Sequence, residues 1–146
     1  MMRGIEMTNL LEDVKINVKI KLSALWVTLM FFYIYADILT FYQPGNIEKL
    51  IAGEIGGMQI NQAFLLTSAI LMAIPSVMVF LSLTLKAKAN RWTNIILGIF
   101  HAGLLLTTNA LVAGEIWGFH MLQASVEAVL IALIVWYAWK WPKQEV

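Results

Sequence analysis

Four side chains with acid, base or amide chemistry lie inside stretches that are otherwise apolar: Asp37, His101, Gln123 and Glu127. Such groups are costly in hydrocarbon and are retained where they meet a partner, a proton or a ligand. A carboxylate and an imidazole at one depth suit proton relay, cation binding, or binding of the polar end of an amphiphile. The structural alternative is a protonated Glu127 that hydrogen-bonds to a neighbouring helix.

Three further polar residues share helical faces with this set at spacings of three, four or seven and are secondary candidates: Tyr33, Asn94 and His120. No metal site is predicted, because the chain has no cysteine and no HExxH motif. The two histidines are expected at different depths, which does not suit a haem. The sequence identifies no cofactor, and no Ser-His-Asp arrangement, Walker loop or dinucleotide fingerprint indicates an enzyme.

Composition indicates that lipid is the solvent of this chain. Of its 146 residues 60% are hydrophobic and 13% are charged, and the mean hydropathy is +0.76. The ten basic and nine acidic residues nearly cancel, and no basic tract predicts nucleic-acid binding. The absence of cysteine excludes dithiol redox chemistry and disulfides.

Hydropathy predicts an all-α, polytopic membrane protein built as a bundle of four transmembrane helices. The predicted spans cover residues 22–42, 62–85, 92–112 and 119–139. They form one membrane domain at 22–142, between an N-terminal segment at 1–21 and a tail at 143–146. The longest connection, 43–61, contains a short amphipathic helix for which Asn46 is the predicted cap.

The distribution of basic residues predicts the orientation. Nine of the ten fall on one side of the four spans, and Lys49 alone falls on the other. The side with nine comprises Arg3, Lys15, Lys19, Lys21, Lys86, Lys88, Arg91, Lys140 and Lys143. Because positive charge favours the cytoplasmic side, both termini are expected in the cytoplasm and the protein in the cytoplasmic (inner) membrane.

A repeated motif suggests that the four helices are two tandem hairpins. Residues 52–62 read AGEIGGMQINQ and residues 113–123 read AGEIWGFHMLQ, with six identities in eleven positions. The constant offset of 61 residues places both copies before an incoming helix. The hairpins are therefore predicted to be parallel repeats.

Several runs carry a resemblance to a known family. They are KLSALW and FFYIYADIL in the first span, LMAIPSVMVFLSLTLK and ANRW around the second and third, and LIVWYAWKWP at the end. Because of these runs, nearly the whole chain resembles a small prokaryotic family of four-helix membrane proteins of unknown function. It is similar, more loosely, to the DoxX-like group, which is associated with respiratory and redox membrane complexes. The first resemblance implies four spans and the second a redox-associated accessory role; neither supplies catalytic residues.

The sequence leads to one functional hypothesis with two alternatives. The hypothesis is a non-enzymatic membrane protein that binds or passes a cation, proton or small amphiphile through a pocket open to the outer side. The alternatives are an accessory or scaffold subunit of a membrane complex and an enzyme acting on a lipid or quinone. The expected partners are the lipid bilayer and either further copies of the chain or a membrane complex, because four helices enclose little interior.

Overall fold

The structure, a computed structural model, describes residues 14–111 and 117–142. The described elements are α1 (Val18–Phe41), α2 (Asn46–Ile51), β1 (Glu54–Ile55), β2 (Met58–Gln59), α3 (Gln62–Thr84), α4 (Ala87–Leu111) and α5 (Gly118–Trp139). Within these ranges α1, α3, α4 and α5 are long and apolar enough to cross a membrane. The prediction of a mostly helical chain with four helices suited to a bilayer is confirmed. The first four residues of the second copy of the repeated motif, 113–116, lie outside the described residues.

Two of the long helices begin earlier than hydropathy predicts. α1 begins directly after Asn17, whose side chain accepts a hydrogen bond from the backbone N–H of Lys19 (2.9 Å) and so caps the first turn. Only Leu85 and Lys86 separate α3 from α4. Both helices thus extend through charged turns that lie beyond the apolar stretch, where a hydropathy window gives no signal.

The predicted short helix is present as α2, but its predicted cap is wrong. Gly45, with φ of 82°, precedes the helix, and Asn46 is its first residue. The Asn46 amide donates to the backbone oxygen of Thr40 (2.9 Å) and to Oε1 of Gln43 (2.8 Å). The left-handed glycine turns the chain back, so the Asn46 side chain ties α2 to the end of α1.

A two-stranded hairpin, which the all-α prediction omitted, follows α2. In the antiparallel pair β1–β2, Glu54 is opposite Gln59, and the Gln59 amide donates to the Glu54 carboxylate (2.7 Å). Gly56 and Gly57 form the two-residue turn, both with positive φ. Such a turn needs positive φ at both central positions, which glycine adopts without strain. The sequence contained this signal, since GG lies between short apolar runs.

The bundle is centred on α1 and α5. α1 packs against α3 and α5, α4 packs against α5, and α3 and α4 contact each other less. The core consists of Leu22, Trp26, Leu29, Met78, Ile95, Leu130, Ile131, Ile134 and Ala138. These positions belong to the half of each helix remote from α2. The bundle is therefore closed at that end and less filled at the end that carries α2 and the strands, which we call the connection end.

Aromatic rings and cations meet at the opposite end, which we call the basic end and define by Lys19, Lys86 and Lys140. Lys19 Nζ donates to the backbone oxygen of Leu85 (2.7 Å), where α3 ends. A cation at a helix C-terminus satisfies free carbonyls and opposes the helix dipole. Lys140 Nζ lies 5.3 Å from the Trp136 ring centroid. These are contacts typical of the interface between a bilayer and water.

Gly98 lies where α4 packs closely against α5. A Cβ atom added there would lie 2.6 Å from Cγ2 of Val135, whereas one added at Gly103 would meet nothing within 4 Å. A small residue here lets two helices pack tightly. Gly98 therefore serves the contact with α5 within the chain, while Gly103 is exposed.

Gly98→Ala is expected to lower the free energy of unfolding by about 1–3 kcal/mol, the usual cost of overpacking. Gly103→Ala on the same helix is the control and should change it by less than about 1 kcal/mol. Adding Val135→Ala to Gly98→Ala should recover most of the loss. Unfolding of the purified protein in mixed micelles measures all three, and equal effects at Gly98 and Gly103 would contradict the close contact.

Candidate functional site

A cavity of about 190 Å³ opens between α1, α4 and α5 at the connection end. Its walls are Ala36, Leu105, Thr108, Asn109, His120, Gln123, Ala124 and Glu127. α4 and α5 each contribute residues one turn apart, as a cavity that runs along the helices requires, and α1 contributes Ala36. Ala36 and Ala124 leave the space open, because a methyl group is all that either places there.

Gln123 and Glu127 are the buried polar groups of this cavity. They lie one turn apart on α5, and each is only 8% exposed. Oε1 of Gln123 is buried without a hydrogen-bond partner, and among the described residues no hydrogen bond reaches the Glu127 carboxylate. Buried acceptors without donors are costly. The cavity is therefore suited to a ligand that donates hydrogen bonds or carries positive charge.

His120 lies near the mouth of the cavity, close to the N-terminus of α5. Its Nε2 is 3.2 Å from Nε2 of Gln43, and Oε1 of Gln43 accepts from Asn46. Because the Gln43 amide nitrogen can only donate, Nε2 of His120 is the acceptor and Nδ1 carries the proton. This chain of three side chains links α5 to α2 across the opening.

A larger cavity of about 560 Å³ lies at the connection end between α1, α2, the hairpin and α4. Its walls are Thr40, Phe41, Gln43, Asn46, Lys49, Leu50, Glu54, Ile55, Gly56, Gly57, Met58 and Thr108. Thr108 belongs to both cavities, so they adjoin at this side chain.

His101 does not line either cavity but lies in the core, 1% exposed. Its Nδ1 is 3.0 Å from the Tyr33 hydroxyl, while its Nε2 is buried without a partner. Rings of Trp26 and Phe100 meet it edge-on, at centroid distances of 5.5 and 5.7 Å. His101 and the secondary candidate Tyr33 therefore form a pair that bridges α4 and α1 below the cavity.

Asn94, the secondary candidate on α4, lies deeper still. Its Oδ1 accepts from the Trp26 indole N–H (2.7 Å), and its amide donates to the side chain of Asn90 (2.7 Å). The Asn90 amide in turn donates to the backbone oxygen of Ser82 on α3 (2.6 Å). This buried network joins three helices. Sequence reasoning missed Asn90 and Trp26, although Asn90 precedes Asn94 by one helical turn.

Asp37 is exposed and lies outside both cavities. Its neighbour Ala36 faces the smaller cavity, and one residue turns a helix by about 100°, so the two side chains diverge. The structure thus brings together Gln123, Glu127 and His120. It sets His101 apart in the core and Asp37 on the surface of α1.

The donor set does not suit a multiply coordinated metal ion. Within residues 14–111 and 117–142 no three His, Cys, Asp or Glu side chains converge. Zinc sites need three or four such ligands. The arrangement suits instead a ligand held by one carboxylate and by neutral oxygen atoms.

Comparison with known proteins places the chain in a family but gives it no activity. No curated protein and no solved structure matches the sequence. The looser similarity to the DoxX-like group therefore has no support from these comparisons. A family of unknown function, DUF6326, matches residues 11–146, which is almost the whole chain. The chain belongs to this family, as the resemblance of its helices to a family of unknown function led us to expect.

Proposed function

We propose that this protein binds a small cationic ligand, a monovalent cation or a protonated amine, in the cavity lined by Gln123 and Glu127. One observation carries the proposal: Glu127, only 8% exposed, lines an open cavity beside Gln123, and no hydrogen bond from the described residues reaches its carboxylate. A positive ligand offsets the cost of burying that carboxylate. A protonated amine would donate a charge-assisted hydrogen bond to the Glu127 carboxylate.

The orientation belongs to the same proposal. The basic end carries all but one of the Lys and Arg residues in the described chain, which supports a cytoplasmic position for that end. Both termini are then cytoplasmic, and the cavity opens to the outer side of the cytoplasmic membrane. Ligand would enter past His120 and Gln43.

Binding fits the geometry better than conduction of a hydrated ion. Below Glu127 the interior is filled by the Tyr33–His101 pair, and farther toward the basic end by Trp26 and Asn94. All of these but Tyr33 are at most 1% exposed. A proton is the only species that such a packed row of side chains would pass without a large rearrangement.

The cavity can be filled without altering its polar groups. Ala124→Leu places three additional carbon atoms beside Glu127 and is expected to weaken methylammonium binding at least about tenfold by steric exclusion. Ala128→Leu, one turn along α5 on an exposed face, is the matched control and should bind as the wild type does. Calorimetric titration of each protein in lipid nanodiscs measures the affinity. Equal binding by both variants would remove this cavity as the site.

An accessory role in a membrane complex is the second candidate function. Only Pro75, Met78 and Ser82 of α3 are buried, so this helix leaves most of its apolar surface to lipid or to another protein. A subunit that only scaffolds would bind no cation and would be recovered from native membranes with a stoichiometric partner. Mass determination of the native-lipid particle, beside the titration, separates the two functions.

A further inference from the structure

We infer that the ligand is an amphiphilic amine, whose ammonium group lies at Gln123 and Glu127 and whose apolar body lies in the larger cavity. The inference rests on the proposed function, since it assumes that the smaller cavity takes a cation. It adds the chemical class of the ligand and gives a role to the larger cavity, which the proposed function leaves without one.

The two cavities adjoin, and their walls are connected by shared and hydrogen-bonded residues. Thr108 lines both, and on α1 the wall of the small cavity at Ala36 continues one turn later as the wall of the large cavity at Thr40. The Gln43–His120 hydrogen bond joins a residue of the large cavity to a residue of the small one. One elongated ligand can therefore extend past Thr108 from the first space into the second.

The volume of the small cavity favours a ligand that also occupies the large cavity. Ligand sites typically have volumes of about 300–1,000 Å³. The cavity at Glu127, at about 190 Å³, is below this range, whereas the larger cavity, at about 560 Å³, is within it. The small cavity thus suits a head group and the large cavity suits the rest of a molecule.

The residues that line the two cavities also fit a head group in the small cavity and an apolar body in the large one. The large cavity presents apolar side chains from α1, α2 and both strands, namely Phe41, Leu50, Ile55 and Met58. Its two charged residues, Lys49 and Glu54, have opposite sign, so this space does not select a charge. Among the described residues that line the small cavity, Glu127 supplies the one carboxylate and His120 the one imidazole. The ammonium group of the ligand would therefore lie in the small cavity near Glu127, and its apolar body would lie in the large cavity.

Alkylammonium ions of increasing length test this arrangement. Methylammonium through hexylammonium are titrated into the protein in phosphatidylcholine nanodiscs, and the signal of empty nanodiscs is subtracted. We expect the affinity to rise about fourfold for each methylene that enters the large cavity. Thr108→Leu should narrow the junction and reduce the ratio of hexylammonium to methylammonium affinity at least tenfold. Thr107→Leu is the control, because Thr107 has a similar hydrogen bond to its own helix but lines neither cavity.

The outcomes separate the inference from the function on which it rests. A wild-type protein that binds methylammonium with no gain along the series overturns the inference and leaves the cation site in place. A protein that binds no ammonium at all overturns both. An equal loss of the ratio in Thr107→Leu and Thr108→Leu also overturns the inference. If the gain is present, nanodiscs with phosphatidylethanolamine identify the source: weaker hexylammonium binding assigns the site to an aminolipid, and unchanged binding assigns it to a free amine.

Discussion

Glu127→Gln is expected to lower the affinity for methylammonium at least about thirtyfold while the protein remains folded. The substitution keeps the shape of the side chain and removes its charge. Loss of one partner from a buried charge pair costs about 2–5 kcal/mol of binding free energy, and the lower limit corresponds to this factor. Calorimetric titration in nanodiscs measures the affinity, and unfolding in mixed micelles measures the stability.

The stability of Glu127→Gln distinguishes a ligand site from a structural role. Because no hydrogen bond from the described residues reaches the carboxylate, the neutral amide should leave the free energy of unfolding unchanged or raise it. If the carboxyl group instead holds helices together, its substitution should lower the free energy of unfolding by about 0.6–2 kcal/mol. Unchanged binding together with such a loss would contradict the proposed function.

Asp37→Asn is the matched control for the loss of an acid. Asp37 is exposed and lines neither cavity, so its charge acts on the ligand only at a distance. Exposed charge pairs contribute up to about 1 kcal/mol, so the affinity should fall by no more than about fivefold. A loss as large as that of Glu127→Gln would place Asp37 in the site, where the sequence pattern predicted it.

The helices could be predicted from the sequence because lipid imposes one simple rule. A bilayer requires about twenty apolar residues for each helix, and four such stretches are present. The helix ends are set differently. Asn17 caps α1 through a single hydrogen bond, and Gly45 precedes α2 with a left-handed conformation. Local backbone geometry of this kind leaves no trace in hydropathy.

The site could be predicted only in part, because helical spacing gives neighbours within a helix but not across helices. Gln123 and Glu127 lie together, as a spacing of four on one helix requires. The sequence places Asp37 and His101 in the same pocket from the polar face that each shares on its own helix and from their expected depths. Depth does not fix the rotation of a helix, and the packing of α1 turns Ala36 toward the cavity instead of Asp37. Ala36 and Ala124, the small residues that leave the cavity open, have no functional group that would mark them as site residues in the sequence.

Asn94→Leu is expected to cause the largest loss of stability among the polar substitutions. It removes the acceptor of the Trp26 indole N–H and the donor to Asn90, both in the fully buried part of the bundle. Hydrogen bonds between membrane helices contribute about 0.6–2 kcal/mol each, and a buried donor left without a partner costs about 1–3 kcal/mol. The expected decrease in the free energy of unfolding is therefore about 2–4 kcal/mol, measured in mixed micelles.

Asn109→Leu provides the control on the same helix. The Asn109 amide donates to the backbone oxygen of Leu105 within α4 and, among residues 14–111 and 117–142, has no hydrogen bond to another helix, so its loss should change the stability by less than about 0.5 kcal/mol. A double-mutant cycle of Asn94→Leu with Trp26→Phe isolates the bond between α4 and α1. The two losses should be less than additive, because Trp26→Phe already removes the indole N–H that Asn94→Leu would leave without an acceptor. Additive losses would mean that Asn94 stabilises the bundle through Asn90 and not through Trp26. In that case the network would hold α4 to α3, and the packing of α1 beside the cavity would depend on apolar contacts alone.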